Sequence, residues 1–171
     1  MRRCFLALLV GLLIVFAAPA SQALTVEEMG DVVQRLDPEA KGGDSHWIFK
    51  IEGVDLSLVY DEDRDRMRVV AVIAPVNALT PEQIVRCLQA NFDTALDARY
   101  ALANGALWSA FIHPLGSLDR EELISGIGQT VNLVTSFGTT YSSGGLVYGG
   151  GDSQQLQREL IDKLLERGQA I

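Results

Sequence analysis

The sequence predicts an α+β domain: one five-stranded antiparallel sheet in the order α-βββ-α-ββ-α, helices mainly on one side, and a C-terminal tail helix. Three features carry this expectation. Capping boxes stand ahead of apolar stripes at helical spacing. Apolar and polar residues alternate with period two between residues 47 and 73, across short connections. Asn104-Gly105, between two apolar runs, is the strongest short hairpin signal.

The chain opens with Arg2 and Arg3, followed by Phe5–Ala18, a run without charged or amide side chains. Pro19 breaks the run, and Ser21-Gln22-Ala23 puts small residues where a signal peptidase reads. A cleavable secretory signal over residues 1–23 is expected, with Ala18-Pro19-Ala20 as a second cut. The run is shorter than the roughly 20 apolar residues of a membrane anchor. Arg2-Arg3 superficially fits a twin-arginine signal, but the very apolar run favours the general secretory route. Cys4 precedes that run, whereas a lipid-bearing cysteine follows it. The expected location is periplasmic or secreted.

Residues 24–141 read as the α+β domain. Thr25-x-x-Glu28 caps a helix with Val26, Met29, Val32, Val33 and Leu36 on one face, ended by Asp37-Pro38. Lys41–Asp44 reads as a loop. Trp47, Phe49 and Ile51 form the first strand. Val54, Leu56, Leu58 and Tyr60 form the second, and Met67, Val69, Ala71 and Ile73 the third. Thr80, Pro81 and Gln83 open the next helix, whose stripe is Ile84, Leu88, Phe92 and Ala95. Arg99–Ala103 and Ala106–Ile112 are the last two strands. Ser117 or Asp119 caps a third helix with Leu123, Ile127, Val131 and Val134, ended near Gly138. Gly126 and Gly128 weaken it by roughly 1 kcal/mol each unless close contact needs them. Residues 142–151 read as a Gly/Ser-rich linker. In residues 152–171, Asp152-x-x-Gln155 caps an amphipathic tail helix bearing Leu156, Leu160, Ile161, Leu164 and Leu165.

Removing the leader leaves 148 of the 171 residues, one ordinary domain. Removing Arg2 and Arg3 from the 14 basic residues leaves 12 against 22 acidic ones, a formal charge of −10. Such a surface repels nucleic acid and anionic headgroups, and basic partners or none follow. Cys87 remains as one cysteine, so the domain holds by burial of apolar surface rather than by an internal disulfide.

No constellation amounts to a catalytic centre. Asp61-Glu62-Asp63-Arg64-Asp65-Arg66 begins like a calcium loop, but Arg66 stands where the sharp-turn Gly belongs and Val72 where the bidentate Glu belongs. It reads as a solvated hairpin turn. His46 and His113 sit at strand ends without metal-ligand spacing. Cys87 lies mid-helix with no catalytic motif around it. The glycine runs lack a phosphate-loop pattern. No cofactor or metal is expected.

The sheet's second face keeps apolar residues. Ile48, Val59, Trp108 and Ile112 are therefore the candidate partner-binding residues, with Leu156, Leu160 and Leu164 of the tail.

Trp47-Ile48-Phe49, Leu58-Val59-Tyr60-Asp61-Glu62, Arg66-Met67-Arg68-Val69, Leu88-Gln89-Ala90-Asn91-Phe92-Asp93, Ala98-Arg99-Tyr100-Ala101-Leu102 and His113-Pro114-Leu115 carry a family resemblance across roughly residues 25–141. The chain resembles type III secretion chaperones and, more closely, the YbjN-like family of bacterial proteins. The resemblance implies a compact α+β domain, often dimeric, that binds polypeptide through its sheet surface or grooves, and it implies no catalytic residue. The export signal and the tethered tail are departures, since type III chaperones work in the cytosol. The expected function is an exported, non-enzymatic, chaperone- or adaptor-like module for a protein or peptide, without a stable membrane anchor after cleavage. The alternative is a small-molecule or lipid carrier using the crevice between sheet and helices.

Overall fold

The computed structural model describes residues 23–143 and 153–169, with the last helix's side chains described from residue 158 onward. The expected leader (apart from Ala23), most of the linker, the Asp152 cap and the Leu156 side chain lie outside the described residues.

The first helix, α1 (Val26–Leu36), begins at its capping box. Thr25 Oγ1 accepts the Glu28 N–H at 3.2 Å, and the Glu28 carboxylate accepts the Thr25 N–H at 2.9 Å. The bond from the Thr25 backbone, then that from its hydroxyl, hold Glu28 below its ordinary carboxylate range. Met29, Val32, Val33 and Leu36 are buried. At the far end, the Asp37 carboxylate accepts the N–H of Lys50 at 2.7 Å, which pins the helix end to the sheet.

Six strands form that sheet, not five. They are β1 (Lys41–Gly43), β2 (His46–Ile51), β3 (Val54–Asp61), β4 (Arg66–Pro75), β5 (Arg99–Ala103) and β6 (Ala106–His113). Their order is β1-β2-β3-β4-β6-β5, and every neighbouring pair is antiparallel. The extra strand is β1, which the sequence pattern gives as a loop. Its three residues are all exposed and two are glycine, so no side-chain alternation marks it. Trp47 explains the glycine: a Cβ on Gly42 would lie 2.5 Å from the indole. A Cβ on Gly30 of α1 would lie 2.6 Å from the same ring. The tryptophan thus joins the edge strand to the first helix.

Glu52-Gly53 and Asn104-Gly105 both have positive φ at each central residue, as a type I′ hairpin turn requires. A bulge between Val72 and Ala74 breaks the alternation of β4 after Ala71.

The helix α2 (Pro81–Asp93) lies against β5, but rotated from the sequence expectation. Leu88 is 64% exposed and Phe92 92%; Cys87 and Ala90 are buried instead. The reason is Asn91. Its Nδ2 donates to Tyr100 O at 2.9 Å, and its Oδ1 accepts the Tyr100 N–H at 2.8 Å. Those two bonds fix which face turns inward, and small Cys87, Ala90 and Thr94 share it.

The helix α3 (Arg120–Ser136), capped by Asp119 with Glu122, is covered on both sides, with Leu123, Ile124, Ile127, Val131 and Leu133 buried. Its two interior glycines are sites of close approach. A Cβ on Gly126 would lie 2.5 Å from the Phe111 ring, and one on Gly128 would lie 2.7 Å from Ile161. Ile161 belongs to α4 (Ser153–Gln169), which docks on α3 and α1. Lys163 Nζ meets the Glu52 carboxylate at 2.7 Å, and Arg120 donates to Gly168 O at 3.2 Å. Ser142 and Ser143, the first residues of the expected linker, are fully buried. Ser142 N–H donates to Ser136 Oγ at 2.9 Å, and Asn132 donates to Ser143 O at 3.2 Å. Ser142 and Ser143 are held because these backbone groups have partners on α3.

The layers are therefore the sheet, then α1 and α3, then α4, with α2 beside the β5 edge. Among the described residues, no helix is long and apolar enough to cross a membrane.

Candidate functional site

The strand registers sort side chains onto two faces. Phe49, Leu56, Leu58, Val69 and Phe111 point into the core beneath α1 and α3. Ile48, Val59, Val70, Val72, Trp108 and Ile112 alternate with them and share the opposite face. Ile48 is 53% exposed, Val72 52% and Ile112 55%. Among the described residues, no helix is seated on this face. The structure thus brings together Ile48, Val59, Trp108 and Ile112, the four candidates on the strands.

Trp108 anchors the patch. Its Nε1 donates to Ala103 O at 2.8 Å, and its cross-strand neighbours are Val72 and Ala101. Beyond the Ser57–Val70 pair the β3–β4 ladder ends, and an open notch of about 520 Å³ forms beside the indole. Ile48, Ser57, Val70, Val72 and Trp108 of the uncovered face line it, together with core-side Leu56 and Ala71 and with Val134 of α3. An apolar notch next to an amphipathic ring is a suitable seat for an anchor side chain.

The tail candidates are placed differently. Leu164 is fully buried and Leu160 partly buried against the core, so α4 turns its stripe inward onto its own chain. Neither residue joins the sheet patch. The Leu156 side chain lies outside the described residues.

Sequence reasoning missed a second strip. Val85, Leu88 and Phe92 are exposed along α2, a consequence of the rotation imposed by Asn91. Asn91 also occupies the outward N–H and C=O of Tyr100 on edge strand β5, which obstructs strand addition there. The polar Asn inside an apolar run was the available signal for the rotation.

Several other titratable groups have structural roles. Burial pushes the Cys87 thiol up from its ordinary range. Burial likewise raises the Tyr100 phenol, whose hydroxyl donates to Leu133 O at 3.1 Å. His113 Nδ1 lies 2.8 Å from Pro114 O, its Nε2 lies 3.8 Å from Glu122, and its ring stacks on Phe111. His46 is exposed at the start of β2. The acidic turn is closed by its own groups. Asp61 accepts the Arg64 N–H at 3.0 Å, and Asp65 accepts the Gly116 N–H at 2.6 Å. Among the described residues, no group of three or more His, Cys, Asp or Glu is placed to hold a metal.

A crevice of about 530 Å³ lies between α3, α4 and the β6 end of the sheet. Asp97, Arg99, Glu121 and Glu122 line it along with Phe111 and Ile161. Three carboxylates at its wall make it a poor host for a lipid tail.

No protein-family model matches the sequence, and no curated protein matches it. Among solved structures, the fold is similar to a chain of the HopA1–SchA chaperone–effector complex, at 13% identity over 67% of this chain and 98% of that one, with a TM-score of 0.47. It is similar to a chain of the complex of the Yersinia pestis type III secretion chaperone SycH with a stable fragment of YscM2, at 12% identity, 64% and 98% coverage and a TM-score of 0.48. It is also similar to a chain of the ExsC–ExsE complex, at 12% identity, 64% and 95% coverage and a TM-score of 0.47.

Proposed function

We propose that this protein is an exported, non-enzymatic, chaperone- or adaptor-like module, of the YbjN-like kind its sequence resembles, that binds polypeptide on the uncovered sheet face. The observation that carries the reading is one-sided covering. Among the described residues, the helices that touch the sheet's faces lie on one side, while Ile48, Val72 and Ile112 stay more than half exposed on the other, which also carries Trp108. A contiguous apolar patch with an aromatic anchor marks an interaction surface. The carboxylates of Asp97, Glu121 and Glu122 disfavour a lipid tail in the crevice between α3, α4 and β6, which favours polypeptide over a carrier function. Export rests on residues 1–23, and N-terminal sequencing of the fractionated protein tests it: a chain starting at Leu24 or Ser21 supports cleavage, and an intact Met1 opposes it.

A second copy is the occupant we assign to the α2 strip. Three apolar side chains on one helix can meet their own copies across a two-fold axis. Phe92→Asp is then expected to shift a dimer to a monomer in sedimentation without lowering stability; an unchanged mass distribution sinks that assignment.

The binding reading is tested by native mass spectrometry of the protein purified from the exported compartment. A polypeptide adduct that is retained in Phe92→Asp and lost in Ile112→Asp supports it. An adduct indifferent to Ile112→Asp, or a constant small added mass, contradicts it.

A further inference from the structure

The chain as a whole is acidic, with a formal net charge of −8, yet the uncovered sheet face has the opposite sign. Its acidic residues are matched: Asp55 pairs with Lys50 at 3.0 Å, and Asp61 with Arg64. Asp61 sits directly across from Arg66 in the β3–β4 ladder but turns back to the Arg64 guanidinium and N–H. Arg66 is left unmatched, and so is Arg68 on the same face. Among the described residues, no carboxylate reaches salt-bridge distance of these two, and both are exposed.

Arg68 is the decisive one. Its cross-strand neighbours are Val59 on β3 and Ile112 on β6, so it stands inside the apolar row. Any partner that covers Val59 and Ile112 also covers Arg68. Taking an unpaired guanidinium out of water is costly, and an anion from the partner removes that cost. The guanidinium fork donates to a carboxylate in a two-bond geometry that an ammonium does not offer. Arg66 lies two residues along the same strand, which places a second cation about 7 Å away. Carboxylates at i and i+2 of an extended segment match that spacing.

We infer that the polypeptide this face accepts is acidic as well as apolar, presenting at least two carboxylates beside its apolar side chains. The inference rests on the sheet face being the binding surface. It reverses the partner charge that overall composition implies. An anionic bilayer is disfavoured because the rest of the surface repels it.

The test uses the full purified chain and short fluorescent peptides that alternate Leu with Glu, Gln or Lys, read by anisotropy at low and high salt. Phosphatidylglycerol–phosphatidylcholine vesicles are run alongside. The Glu peptide is expected to bind tightest and to weaken with salt. Arg66→Gln/Arg68→Gln is expected to weaken it by about 2- to 30-fold, the range for losing two surface ion pairs. Ile112→Asp is expected to abolish it. Gln or Lys peptides binding as tightly, blocked by Ile112→Asp but indifferent to the arginine changes, would overturn the acidic preference and leave the face as the binding surface. Binding of no peptide, or binding unaffected by Ile112→Asp, would remove both. Vesicle binding without peptide binding would overturn the inference in favour of lipid.

Discussion

Gly126→Ala tests whether α3 is seated directly on the sheet. Helix propensity alone predicts a gain of about 1 kcal/mol. The structure reverses the sign. The added carbon would lie 2.5 Å from two ring carbons of Phe111. That ring is buried, and its residue pairs with Val69 in the central ladder, so it has little room to retreat. Overpacking costs about 1–3 kcal/mol, and a clash with the near edge of a confined ring belongs at the upper end. The net loss is about 1.5–2 kcal/mol, equivalent to a Tm fall of roughly 3–8 °C for a domain of this size. Thermal melts followed by circular dichroism read it, with Gly43→Ala as the control because nothing lies within 4 Å of a Cβ there. In a Phe111→Leu background the same Gly126→Ala change should become neutral or stabilising. A higher Tm in the native background would refute the seating of α3 on Phe111.

Ser109→Ala should be neutral or stabilise by up to about 1 kcal/mol in urea unfolding, because the hydroxyl is fully buried with no partner among the described residues; a clear loss would mean it is bonded. Leu164→Ala should cost about 3 kcal/mol, and a negligible cost would mean that α4 does not dock on its own chain. The hydrogen bond and charge of Lys163 hold Glu52 below its ordinary 4.5. Its contribution is therefore present above that value and fades as pH falls through the depressed folded pKa. At 44% exposure, screening keeps it under about 1 kcal/mol. Lys163→Gln should remove this pH dependence, and an unchanged urea midpoint profile would count against the pair. Cys87, buried with a raised pKa, should react with a thiol reagent only as fast as the domain opens; prompt labelling at neutral pH would contradict its burial.

Much of the fold is legible because local chemistry fixes it. Thr25 with Glu28, Thr80 with Gln83 and Asp119 with Glu122 each close a capping box in the structure. Asn104-Gly105 sets the register that sends Trp108 and Ile112 to one face and Phe111 to the other. The illegible parts depend on partners distant in sequence. β1 has no side-chain signature and exists through pairing with β2 beside Trp47. The rotation of α2 is decided by Asn91 gripping Tyr100, against a hydrophobic pattern that points Leu88 and Phe92 inward. The bulge after Val72 follows from the β4–β6 register. At the candidate site, apolar alternation on both faces reveals Ile48, Val59, Trp108 and Ile112. The unmatched arginines emerge only when cross-strand neighbours and ion pairs are known.

The central claim, that the uncovered sheet face receives polypeptide, is tested most directly by methyl and indole NMR of the protein titrated with the Leu–Glu peptide. The account predicts shifts concentrated at Ile48, Val59, Val72, Ile112 and the Trp108 indole. Shifts confined to Val85 and Leu88 on α2, or to Ile161 and Leu165 in the crevice, would contradict it.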